Sequence, residues 1–217
     1  MKKLLLMSVL VVGLSAGVVA APLCSTVLGS DVTTLTLGCE LGPYLFNNFA
    51  VTLATPGTVS GPIQLTGTAV DAQNSIYSLI FNPNLGGPTT EDFHFTFRVS
   101  TLNGAAGIYQ TALAASGTGQ GSHVQERGCT TIINQSGSCA GTILYDYVAF
   151  AGQTIALTPN LGNAGVSQMF IWKDLNSDSN GTLTSFTESF QTPEPMSISL
   201  FGAGLLGLGL IRKRRKA

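Results

Sequence analysis

From residue 91 to residue 100 large apolar side chains fall at every second position. Phe93, Phe95, Phe97 and Val99 alternate with Asp92, His94, Thr96, Arg98 and Ser100. A period of two gives one apolar and one polar face, the mark of a half-buried β-strand. Comparable runs recur at 32–37, 44–53, 63–70, 75–81, 108–114, 142–150, 154–157, 168–173 and 182–190. Turn formers punctuate them: Thr55-Pro56-Gly57, Asn82-Pro83-Asn84, Gly86-Gly87-Pro88 and Asn160-Leu161-Gly162-Asn163. No stretch between the two ends of the chain keeps a helical period. About ten short strands at a spacing of roughly eight to twelve residues predict an all-β fold, an antiparallel β-sandwich of jelly-roll or immunoglobulin-like type.

The two ends follow a different pattern. Lys2 and Lys3 precede a nearly unbroken apolar run from Leu4 to Val19, followed by Ala20-Ala21. This spelling predicts a cleaved N-terminal signal helix, with the mature chain starting at Ala21. Leu23 stands before Cys24 where a lipoprotein signal needs a small residue. At the other end Thr192-Pro193-Glu194-Pro195 leads into sixteen uncharged residues, Met196 to Ile211, closed by Arg212, Lys213, Arg214, Arg215 and Lys216. As a helix the run is about 24 Å long against a bilayer core of about 30 Å. Snorkelling of the basic side chains closes the difference and predicts a single C-terminal transmembrane helix. Five cations after an apolar helix form a membrane stop on the cytoplasmic side, so everything before Pro193 is expected outside. The expected organisation is a signal peptide at 1–20, a secreted β-sandwich at 21–192 and a sorting segment at 193–217.

The order Pro193-Glu194-Pro195, an apolar span containing Leu205-Leu206-Gly207-Leu208-Gly209-Leu210, and an Arg-rich end resembles the PEP-CTERM sorting signal of Gram-negative bacteria. The resemblance covers residues 193–216. It implies that a membrane-embedded processing enzyme, an exosortase, reads Pro193, Glu194 and Pro195. It further implies release or anchoring at the cell surface, often where exopolysaccharide is made. The same tail is also catalogued as an ice-binding-protein C-terminal motif, which describes some carriers. Leu37-Gly38-Cys39-Glu40-Leu41-Gly42 followed by Phe46-Asn47-Asn48-Phe49 looks like a pattern near the N-terminus of some PEP-CTERM carriers. No activity comes with either resemblance.

Charge narrows the partners. Seven of the ten basic residues lie in the two ends and so does Glu194, leaving Arg98, Arg127 and Lys173 against the ten acids from Asp31 to Glu188, a net of about −7. Such a body cannot offset phosphate charge, which excludes nucleic acid. Its length of about 172 residues suits one domain with a real core. Export turns the four cysteines into disulfide candidates, and of the three pairings local spacing favours Cys24 with Cys39 and Cys129 with Cys139. The rival zinc reading lacks a two-to-four residue cysteine spacing, and neither His94 nor His123 stands beside a pair.

Few residues spell chemistry. Gly13-Leu14-Ser15-Ala16-Gly17 matches a nucleophile elbow and Gly202-Ala203-Gly204-Leu205-Leu206-Gly207 a dinucleotide fingerprint, but both lie in membrane-inserting segments without the required strand context. The loop 174–183 offers Asp174, Asn176, Asp178 and Asn180 as calcium ligands, with Gly181 at the sharp turn. Thr187 stands where the bidentate Glu belongs, with Glu188 one place late, and a hairpin turn explains the same residues. His94 reads as a lone surface histidine, and His123, Glu126 and Arg127 as solvated loop polars. Glu91 and Asp92 face opposite ways and make no glycosidase pair. With no assembled catalytic set, the expected function is non-enzymatic: an exported cell-surface or matrix protein with a structural, adhesive or glycan-contacting role. The expected partners are the exosortase-like enzyme, the membrane and extracellular polysaccharide. The alternative is a secreted carbohydrate-active enzyme or a carbohydrate- or ice-binding module.

Overall fold

A computed structural model describes residues 20–53, 62–86, 90–102, 105–131, 134, 136–158, 161 and 165–193. The predicted signal helix, the transmembrane helix and the basic cluster lie outside the described residues. Among the described residues no helix is long and apolar enough to cross a membrane.

Among the described residues twelve strands carry the fold: β1 (Cys39–Leu41), β2 (Tyr44–Leu53), β3 (Gln64–Asp71), β4 (Ile76–Asn82), β5 (Leu85–Gly86), β6 (Glu91–Thr101), β7 (Gln110–Thr118), β8 (His123–Cys129), β9 (Ile143–Phe150), β10 (Thr154–Thr158), β11 (Gln168–Ser177) and β12 (Thr182–Gln191). They form two antiparallel sheets, ordered β1-β2-β6-β11-β8-β9 and β10-β7-β12-β4-β3, with β5 pairing β12. The all-β, two-sheet expectation holds.

The segment read as a strand over 32–37 is instead a 3₁₀ turn, Val32–Thr34, because the Asp31 side chain accepts the Thr33 N–H and caps it. The residues 123–129, read as loop, are strand β8 in the middle of a sheet. Here the charged Glu126 and Arg127 hide the alternation from a hydrophobicity reading.

The pleat of β6 sends Phe93, Phe95, Phe97 and Val99 inward, where all four are buried. The facing sheet answers with Leu79, Phe81, Leu113, Phe186 and Phe190, also buried. Phe81 meets Phe95 edge-on at 5.3 Å and stacks on Phe186 at 5.0 Å, and Phe46 meets Phe190 at 5.3 Å. Each such ring contributes about 1.5–3 kcal/mol by burial alone. Both predicted disulfides form: Cys24–Cys39 fastens the N-terminal turn to β1, and Cys129–Cys139 ties the end of β8 to the loop before β9.

Candidate functional site

Two clusters of ionisable side chains lie on opposite faces of the β6-β11-β8 region. The inner one follows from strand phase. Along β11 the inward positions read Met169, Ile171, Lys173 and Leu175, all buried, so an ammonium stands in an apolar row. On β8 Glu126 falls in the inward phase with Val124, and on β12 Glu188 falls between Phe186 and Phe190. Register makes Lys173 and Glu126 direct cross-strand partners, and Glu188 reaches them from the facing sheet.

Lys173 Nζ donates to Glu126 Oε2 and, at 2.6 Å, to Glu188 Oε2, with all three side chains fully sealed from solvent. Tyr147 on β9 donates its hydroxyl to Glu126 Oε1 at 3.0 Å and lies 2.9 Å from Thr111 Oγ1 on the other sheet. The Lys173 ammonium also sits over the Phe186 ring at 5.1 Å. One cation between two carboxyls sets their protonation. Burial opposes the charge of Glu126, but the Lys173 ammonium and its hydrogen bonds outweigh it and hold this carboxyl below the usual range. Burial, reinforced by the negative charge of Glu126, pushes Glu188 well above it. Lys173 is held above its usual value because two carboxyls outweigh its burial, and Tyr145 and Tyr147 are pushed up by burial and by the Glu126 charge. The cluster therefore balances as one ammonium, one carboxylate and one neutral acid. It is sealed away from any substrate.

The outer cluster joins residues far apart in sequence. Asp92 and His94 project from β6 and Asp174 from β11, where Asp174 pairs with His94 and Asn176 with Asp92. One ligating atom from each of Asp92, His94 and Asp174 lies within 4.8 Å of the others, and all three side chains are partly buried. The Oδ1 atoms of Asp92 and Asp174 are buried with no hydrogen-bond partner. Burial, together with the hydrogen bond to and the charge of Asp92, raises the Asp174 carboxyl from 3.8 to about 6 against the opposing pull of His94 and His123. The His94 ring packs on Trp172 at 5.0 Å. Trp172, only 5% exposed although on the outer face, is covered by Gly137 and by the Arg127 guanidinium 5.7 Å away. Arg127 is in turn anchored to Asp146 and to the Gly137 carbonyl.

The predicted calcium ligands separate along the chain. Asp174 and Asn176 lie within β11, whereas Asp178 and Asn180 form the turn to β12, with Asn180 at φ +65° and the Gly181 N–H donating to the Asp178 carbonyl at 2.8 Å. Asp174 thus joins Asp92 and His94, which sequence reasoning left apart. Thr192 follows β12, its N–H donating to the Ser75 carbonyl at 3.2 Å, and Pro193 comes next; Glu194 and Pro195 lie outside the described residues. Elsewhere a groove of about 260 Å³ is lined by Asn82, Asn84, Leu85, Gly86, Thr182 and Thr184, an uncharged set in which amides and hydroxyls flank one aliphatic side chain. A scan against protein-family models matches none, and a search of curated proteins returns no relative of this chain.

Proposed function

We propose that this chain is an exported protein of a bacterial cell surface or matrix, sorted by a PEP-CTERM signal, whose sandwich has a structural, adhesive or glycan-contacting role. The observation that carries the reading is the sequence of the tail: Pro193-Glu194-Pro195, then an uncharged span, then Arg212, Lys213, Arg214, Arg215 and Lys216. A proline at the membrane's outer face lacks an N–H and keeps the preceding backbone extended, which leaves the segment open to a processing enzyme. Two disulfides suit an oxidising compartment. The non-catalytic half is supported by the sealing of Lys173, Glu126 and Glu188 from solvent and by the uncharged groove. Within the sandwich class, the chain's repeated crossing between sheets favours a jelly-roll over an immunoglobulin-like arrangement. Replacing Glu194 and Pro195 with alanine in the native host tests the reading: full-length protein accumulates in the membrane fraction. Unchanged processing refutes it.

A secreted carbohydrate-active enzyme is the second reading, and the Asp92–Asp174 pair favours it. A carboxyl raised to about 6 suits the acid of a glycosidic cleavage, although the pair stands closer than the roughly 5–5.5 Å of a retaining enzyme and would have to part around the sugar. Glycan hydrolysis that Asp174→Asn abolishes establishes this reading; its absence across neutral and acidic polysaccharides dismisses it.

A further inference from the structure

Asp92 and Asp174 press two carboxyls together and leave an oxygen of each buried without a donor. Such a pair is stable only with a positive charge or a proton between them. Among the described residues the arginines and the lysine are engaged elsewhere, which leaves only the imidazoles of His94 and His123 beside the pair. Arg98 Nε donates to Asn47 Oδ1 at 2.9 Å, Arg127 is committed to Asp146, and Lys173 lies inside the sandwich between Glu126 and Glu188. A proton shared by the two carboxyls or carried by His94 satisfies part of the cluster, whereas a cation at the point where the ring nitrogen and both carboxyls converge takes all three groups as ligands. That ring is not loosely placed: Trp172 packs against it, and Trp172 is held by the loop that the Cys129–Cys139 disulfide ties down.

We propose that Asp92, His94 and Asp174 form a divalent-cation site on the outer face of the β6–β11 pair. Two carboxylate oxygens and one imidazole nitrogen suit a borderline first-row metal such as zinc, since calcium takes six to eight oxygen ligands and rarely imidazole. Three protein ligands leave a coordination position open to water or to an oxygen of a bound partner. The site thus turns a flat sheet face into a metal-dependent contact point, independent of how the protein is sorted.

The full-length chain, purified in mild detergent and stripped with chelator, is titrated with zinc and with calcium by calorimetry and by thermal melting. One zinc binds per chain and raises Tm, whereas calcium at the same concentration does neither. His94→Gln and Asp92→Asn weaken zinc by at least about tenfold, and Asp178→Asn, in the neighbouring turn, leaves binding intact. Metal-free Asp92→Asn melts no lower than the metal-free parent, because it removes one of two facing carboxylates, so its loss of zinc is not a loss of fold. The proposal is overturned by an absence of zinc binding, by binding that survives His94→Gln and Asp92→Asn, by loss on Asp178→Asn, or by calcium binding tighter than zinc.

Discussion

Lys173 Nζ lies 2.6 Å from Glu188 Oε2 across the gap between the two sheets, both side chains wholly buried. With Glu126 on the neighbouring strand this makes a polar rivet through a core of aliphatic and aromatic side chains. The two acids are not equivalent. Glu126 carries the negative charge and Glu188 is the neutral partner, because one ammonium cannot sustain two carboxylates out of water.

Substitution separates the two roles. Glu188→Gln keeps the shape and charge of a neutral acid and is expected to cost less than about 1.5 kcal/mol. Glu126→Gln passes the negative charge to Glu188, 2.6 Å from the Lys173 ammonium, and is expected to cost about 1–3 kcal/mol, whereas Lys173→Met strands a buried carboxylate and is expected to cost about 3–5 kcal/mol. Denaturant unfolding measures all three. A Lys173→Met cost no larger than that of either glutamine variant contradicts the shared-ammonium arrangement.

The outer carboxyl pair gives stability a characteristic pH dependence. Asp174 is raised from 3.8 to about 6 in the folded chain, facing Asp92 and His94 on β6 and His123 on β8. The folded state therefore binds more protons than the unfolded state between these values. The contribution is fully present below about pH 4 and is lost as pH rises through about 6. In chelator, the Tm of the parent relative to Asp174→Asn falls across this window. A flat difference shows that the two carboxyls do not interact.

Gly137 stands at φ +77°, and a Cβ placed there meets the Trp172 ring at 2.9 Å. Gly137→Ala is expected to cost about 1–3 kcal/mol from backbone conformation and the displaced indole together. Because Trp172 carries His94, the same change loosens the outer cluster, and the chain's single tryptophan reports it as a shift in fluorescence. Unaltered stability and emission show that the loop does not seat the indole.

Strand phase was legible wherever both faces obeyed the alternation, as in Phe93, Phe95, Phe97 and Val99. The rivet was legible strand by strand, since Ile171-Lys173-Leu175 and Phe186-Glu188-Phe190 each show one charge in an apolar phase. That these charges meet depends on the β8–β11 register and on which strands stack across the core, long-range facts that no local window carries. The same holds for Asp92, His94 and Asp174. A loop reading of 174–183 drew Asp174 toward Asp178, but β11 runs to Ser177 and its pairing with β6 carries Asp174 to His94 instead. Val32–Thr34 shows the reverse case, where β-branched residues suggested a strand and one capping carboxylate at Asp31 imposed a turn.

The most direct test of the account is the intact mass of the protein recovered from its native bacterium, reduced and unreduced. The predicted result is a chain starting at Ala21, ending close to Pro193 and lighter by four hydrogens before reduction, one pair for each disulfide. A mass that retains residues 196–217 contradicts processing at the Pro193-Glu194-Pro195 segment, and with it the proposed sorting.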